Sequence, residues 1–223
     1  MMKYVSILFF TFFFYIVYSQ EAIKKSISSP PVPIEFLFGN DHLSFQSLVS
    51  KPLSNDGKFG YTFIASIDSE YKTGDESTKN IDIMIPIALN YKIYNDFAIN
   101  GGVAFNNSFG NRPFLGLRYL KVNNHWVIVV IPSFYISNNN YYETYVSVEF
   151  QPKINNKIKL YTRLQGLYSF DVRNNAHDRS LFYGRLGITN KKTSFGVGYN
   201  WDLYGPIKVN KNNVGLFVRT NIF

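Results

Sequence analysis

In the segment Ile81-Asp82-Ile83-Met84-Ile85-Pro86-Ile87-Ala88-Leu89-Asn90-Tyr91, every odd position is Ile, Leu or Tyr, while the even positions run Asp, Met, Pro, Ala, Asn. A period of two sends the two sets to opposite faces of a strand. The carboxylate of Asp82 and the amide of Asn90 therefore share a face that the greasy residues never see. The same pattern recurs in Phe59, Tyr61, Phe63, Ala65, Ile67, in Tyr142, Thr144, Val146, Val148, Phe150 and in Phe195, Val197, Tyr199, Trp201, Leu203. The residues between them include Thr62, Ser66, Asp68, Glu143, Ser147, Glu149, Gln151, Ser194 and Asn200.

Few folds accommodate this. A soluble β-sandwich or lipocalin-like barrel would also alternate, but it would turn the apolar stripes inward and would not need strands so long. The chain is 46% hydrophobic and 18% aromatic, yet no segment after the N-terminus offers the roughly 20 apolar residues of a spanning helix. Aromatics gather instead at stripe ends, at Tyr71, Tyr91, Tyr94, Phe97, Trp126, Tyr168 and Trp201, where they suit the interfacial girdles of a membrane barrel. The fold class expected is all-β, an antiparallel transmembrane β-barrel over 32–223.

Its strands are predicted near 32–38, 43–52, 59–71, 81–93, 97–107, 113–122, 125–136, 142–153, 158–171, 181–190, 193–204 and 213–223, about twelve in all. The first pair is the weakest, and a barrel of ten is the alternative, since closed bacterial barrels favour even numbers. Tight turns are expected at Asn55-Asp56-Gly57, Tyr94-Asn95-Asp96, Asn123-Asn124, Asn155-Asn156-Lys157 and Lys191-Lys192. Longer polar loops are expected at 72–80, 107–112, 137–141, 172–180 and 205–212. Short turns face the periplasm in such barrels and long loops face outside, which would leave both termini periplasmic.

Ahead of the strands, Met1-Met2-Lys3 supplies a positive start, Val5 to Tyr18 is apolar and aromatic, and Val17-Tyr18-Ser19 makes a cleavage triplet before Gln20. Residues 1–19 read as a signal peptide and 20–31 as a polar periplasmic leader. There is no cysteine, hence no disulfide, no lipid anchor at a cleavage-site cysteine and no thiolate metal site.

The last segment, Val214-Gly215-Leu216-Phe217-Val218-Arg219-Thr220-Asn221-Ile222-Phe223, resembles the C-terminal strand of outer-membrane proteins, which commonly ends in an aromatic residue. With the export signal and the alternation, it makes the chain resemble the small porin-like outer-membrane barrels of Gram-negative bacteria. That resemblance implies that Phe223 is read by the barrel-insertion machinery. The apolar set Val214, Leu216, Val218, Ile222 is out of phase with Phe223, so either a bulge near Thr220 or an interfacial Phe223 is expected.

Parity turns Arg118, Arg163, Arg185, Arg219, Glu35, Asp68, Asp82, Glu143 and Glu149 inward. Charges enclosed in a barrel are costly unless paired, so guanidinium forks meeting carboxylates are expected. Such a set serves either as a structural plug or as a charged eyelet. Large neighbours on the same faces, Tyr145, Tyr161, Gln165 and Tyr183, favour the plug. His42-Leu43-Ser44 is similar to the His-x-Ser element of outer-membrane phospholipase A and the lipid A deacylases. Here Phe45 stands in place of the Asn typical of those families, and Leu43 and Phe45 claim the lipid face. His125 beside Trp126 reads as interfacial packing and His177-Asp178 as a solvated loop pair, so neither suggests a metal. Ser69-Glu70-Tyr71-Lys72 and Lys72-Thr73-Gly74 imitate penicillin-binding motifs but share Lys72, so they cannot be separate elements.

The net charge is +8. Lys51, Lys58, Lys92, Lys121, Lys153, Lys157, Lys159, Lys191 and Lys192 crowd the turn-bearing end, where they suit lipid headgroups or a periplasmic or membrane protein partner. Nucleic acid is not a normal ligand of an exported barrel. The reading from sequence is thus a non-enzymatic outer-membrane barrel with a structural or accessory role, a largely filled lumen and no cofactor. A narrow porin for small polar solutes or ions is the first alternative and a lipid hydrolase the second.

Overall fold

The computed structural model describes residues 31–71 and 81–222. Within them twelve strands run in order: β1 (Val32–Gly39), β2 (His42–Pro52), β3 (Phe59–Glu70), β4 (Ile81–Tyr94), β5 (Phe97–Asn106), β6 (Gly110–Val122), β7 (Trp126–Tyr135), β8 (Tyr141–Phe150), β9 (Ile158–Asp171), β10 (Ala176–Asn190), β11 (Thr193–Tyr204) and β12 (Val209–Ile222). Each pairs antiparallel with its neighbours in the chain, and β1 pairs with β12 to close the ring. The first pair of strands is thus integral, and the ten-strand alternative is excluded. Val32 lies opposite Ile222, so both ends of the barrel leave by one rim.

The face code follows from this register. Lumenal Asn90, Asn100, Asn200 and Asn213 are buried, whereas Leu89, Leu115, Val197 and Leu216 are more than half exposed on the outer wall. A soluble protein would not leave such a band bare; a membrane barrel needs it. Tyr71, Tyr91, Tyr94, Phe97, Trp126, Tyr168 and Trp201 are all exposed. Near the terminal rim they pack as pairs, Phe59 on Tyr91, Phe97 on Tyr119 and Trp126 on Phe150, with ring centroids 4.9, 4.9 and 4.2 Å apart.

Three expectations need correction. β6, β10 and β12 begin at Gly110, Ala176 and Val209, earlier than their alternation suggests. The turns between strands at the far rim therefore shrink to 107–109, 172–175 and 205–208, closed by residues of positive φ such as Asn175 and Lys208. Connection length consequently no longer separates the two rims among the described residues, since 53–58 and 151–157 at the terminal rim are longer than those turns. The loop 72–80 lies outside the described residues, as do the signal peptide, all of the leader except Pro31, and Phe223. No bulge occurs near Thr220: the β1–β12 and β11–β12 ladders run without a shift. The shifts fall elsewhere, between His177 and Arg179 and between Lys92 and Tyr94.

Candidate functional site: the lumen

The inward positions build the site. At its centre Glu35 of β1 is 2% exposed. Its Oε1 accepts from Arg163 of β9 at 2.6 Å and from Arg185 of β10 at 2.8 Å. Arg163 also donates to Gln46 of β2 at 3.0 Å. Arg185 donates to Asn200 Oδ1 at 2.8 Å, and the Asn200 amide reaches Ser44 at 3.2 Å. Glycine at 198 clears the floor for this hub, because a Cβ there would meet Leu37 Cδ1 at 2.7 Å and the Arg185 side chain at 3.1 Å.

Towards the terminal rim, Arg219 of β12 pairs with Glu149 of β8 and donates to Tyr161. Towards the far rim, Arg179 of β10 binds Asp82 of β4 at 3.0 Å and Asp202 of β11 at 2.9 Å. Tyr204 donates to Asp82 at 3.0 Å and Tyr183 to Asp202 at 2.9 Å. In the ring β10 and β4 stand six places apart in either direction. The Arg179–Asp82 pair therefore crosses the full width of the barrel.

Parity picks out inward residues, and all nine candidates line the interior, but they do not form one set. Glu35, Arg163, Arg185, Arg219, Glu149 and Asp82 enter ion pairs with Arg or Glu partners, and Asp68 lies 3.5 Å from His42. Two stand apart. Arg118 donates to the hydroxyls of Ser50 at 2.6 Å and Thr62 at 2.9 Å, and Glu143 accepts from Tyr135 at 2.9 Å. Arg179 and Asp202 escape the sequence reading. Arg179 falls in a stretch that looks like loop, although it lies past the bulge and in phase with Tyr183 and Arg185; Asp202 needed only the alternation between Trp201 and Leu203.

His42 and Ser44 do face inward, as expected. The Ser44 hydroxyl accepts from the Asn200 amide at 3.2 Å, whereas the His42 imidazole lies 3.5 Å from Asp68. A serine nucleophile needs the imidazole at its hydroxyl. His177 is not a solvated loop residue: it sits in β10, with Nδ1 2.7 Å from Gly205 O and Nε2 2.8 Å from Ser180 Oγ, while Asp178 accepts from Ser169 at 2.8 Å.

Space remains beside this network. A cavity of about 240 Å³ opens at the terminal rim, one of about 60 Å³ lies mid-barrel and one of about 180 Å³ lies towards the far rim. Ile64, Tyr145 and Gln165 line the first two, and Met84, Glu143 and Arg179 the last two, so the three follow one another through the lumen.

A closed antiparallel ring of twelve strands with an apolar outer wall and charges inside defines the class: an antiparallel transmembrane β-barrel. No protein-family model matches the sequence, and no curated protein matches it. Among solved structures, the chain is similar to the KdgM porin at 12% identity, with 87% of this chain and 100% of that one covered and a TM-score of 0.47. It is similar to the NanC porin at 10% identity, covering 85% and 98%, with a TM-score of 0.47. LpxR from Salmonella typhimurium matches at 8% identity, covering 87% and 100%, with a TM-score of 0.41. No residue's role is carried over at these likenesses.

Proposed function

We propose that this chain is a non-enzymatic barrel of the Gram-negative outer membrane with a structural or accessory role, its lumen held shut by cross-barrel ion pairs. The observation that carries the reading is the Arg179–Asp82 pair between opposite walls, stacked above the Glu35 hub. A solute passing along the lumen meets these groups, and separating the buried Glu35 pairs costs several kcal/mol. The apolar outer wall supports a lipid setting, where only a closed ring satisfies every strand hydrogen bond. Both termini are assigned to the periplasm, with the lysine-rich terminal rim against inner-leaflet headgroups or a protein partner, and the C-terminal strand to the insertion machinery. Purified protein in planar bilayers should show little or no steady conductance. Steady, ion-selective channels would overturn the closed-lumen reading. Cysteine at Asn175 should label in intact cells and cysteine at Asn124 should not; the reverse pattern would invert the orientation.

The succession of three cavities favours one second reading, a narrow porin for small polar solutes that opens when the Arg179–Asp82 pair parts.

A further inference from the structure

We infer that the β3–β7 side of the lumen, with Arg118 at its end, is a binding site for an amphipathic anion: an alkyl carboxylate whose head meets Arg118 and whose chain lies along the wall. This goes beyond the closed-barrel reading and holds whether or not the lumen conducts.

The wall is built unlike the rest of the interior. Its inward residues include Ile64 on β3, Met84 and Ala88 on β4, Phe114 on β6 and Ile131 on β7, and all of these line the mid-barrel cavity. A barrel that only needed filling would close apolar side chains on one another, because voids in an apolar core forfeit packing contacts. Here the space is left open against them, and it continues into the larger terminal-rim cavity past Leu48, Leu120 and Val129. An apolar cavity with a few convergent polar groups is the usual form of a small-molecule site.

Arg118 supplies the polar end. Arg163, Arg179, Arg185 and Arg219 each reach a carboxylate, whereas Arg118 donates to the neutral hydroxyls of Ser50 and Thr62. A part-buried guanidinium so placed gains most from an anion. Thr62, whose hydroxyl it holds, is among the residues lining the mid-barrel cavity, and Arg118 itself lines a mouth cavity of about 200 Å³ at the terminal rim. Lys58, Lys92 and Lys51 surround that mouth, with Asp96 as its acidic member. The order from rim to centre is therefore cationic mouth, guanidinium, apolar trough. Polar Thr62, Ser66, Asn100, Ser133 and Gln165 line the same cavity as the apolar side chains. Inorganic anions would use the mouth and the guanidinium and leave the apolar trough unused. A carboxylate with an aliphatic chain uses all three.

The test uses the whole barrel in lipid nanodiscs, with octanoate as the probe and titration calorimetry corrected for empty nanodiscs. Octanoate should bind at least tenfold more tightly than acetate, inorganic phosphate or methyl octanoate. Arg118→Gln should weaken octanoate at least tenfold and leave octanol unchanged, while Ala88→Phe, which fills the trough, should weaken both. Heat-modifiable migration checks that each variant is folded, and the wild-type comparison with methyl octanoate reads the head group without any substitution. Octanoate uptake no greater than by empty nanodiscs would overturn the proposal, as would acetate or phosphate matching octanoate, equal binding of the methyl ester, or octanoate affinity untouched in a folded Arg118→Gln variant.

Discussion

Along β9 the inward side chains include Tyr161, Arg163, Gln165 and Ser169; along β5 they are Ala98, Asn100, Gly102 and Ala104. Both strands obey the same alternation, and both present apolar residues to the outside, Leu164 and Tyr168 on one and Ile99 and Val103 on the other. One wall is thick and charged, the other thin and nearly neutral. The outer face is dictated by the solvent, which is uniform around the ring, so it repeats. The inner face is dictated by what stands across the lumen, so the two walls are complementary in volume: Arg and Tyr reach out from β8–β12, and small residues on β4 and β5 leave them room. Gly102 marks the limit of this thinning, because a Cβ there would lie 1.8 Å from Ile87 O.

The comparison makes unequal demands on stability. Glu35→Ala should be the most damaging change, at about 3–5 kcal/mol, because it strands two guanidinium groups in the barrel. Asn100→Ala on the thin wall removes a buried amide whose Oδ1 has no partner, and should cost only about 1 kcal/mol. Urea unfolding followed by heat-modifiable migration measures both, and equal losses would erase the distinction between the walls. Next comes the outer face: Val148→Arg should cost roughly 2–4 kcal/mol near the membrane midplane, whereas Ser147→Arg, beside the terminal-rim cavity, should cost far less. Similar effects would mean that the two faces of β8 do not differ as their register implies.

Asp82→Ala should unfold less of the barrel than Glu35→Ala, since Arg179 keeps Asp202, but it removes the strut between the walls and should admit a measurable leak conductance in bilayers. The smallest effect lies outside the lumen, in the turn between β2 and β3. There the Ser54 hydroxyl donates to Asp56 at 2.5 Å, and the Lys58 N–H adds a second bond at 3.0 Å, which together hold the carboxyl below its ordinary value. The folded value is the depressed one, so whatever the turn gains is present above the ordinary carboxylate range and fades as pH falls through the lowered value. Ser54→Ala should move the Asp56 titration upward by NMR without touching either wall.

Most of the ring was legible in the sequence because lipid imposes one rule on every strand. Where strands run past the lipid, the rule lapses. Residues 176–180, Ala-His-Asp-Arg-Ser, are polar on both faces and read as loop, yet the ladder to β9 continues through them with a bulge. Arg179 was lost for that reason. Parity also says which charges point inward but not which meet: the stagger between distant strands decides that Arg163 reaches Glu35 while Arg118 reaches only hydroxyls. Loop length, the basis for orientation, failed because most far-rim connections are turns of a few residues.

The seam between β1 and β12 has a consequence for how the molecule comes into being. Its eight pairs, from Val32 with Ile222 to Gly39 with Gly215, join residues from opposite ends of the chain. Such contacts carry the full loop-closure entropy of the polypeptide and give the fold a high contact order. Glu35, on the first strand, finds Arg163 and Arg185 only after nine or ten strands exist, and its neighbour in the ladder, Arg219, belongs to the last. The carboxylate thus waits for almost the whole chain before its charge is neutralised. Closing the ring therefore needs both the first and the last strand, and a chain stopped before β12 lacks the partner that β1 pairs with.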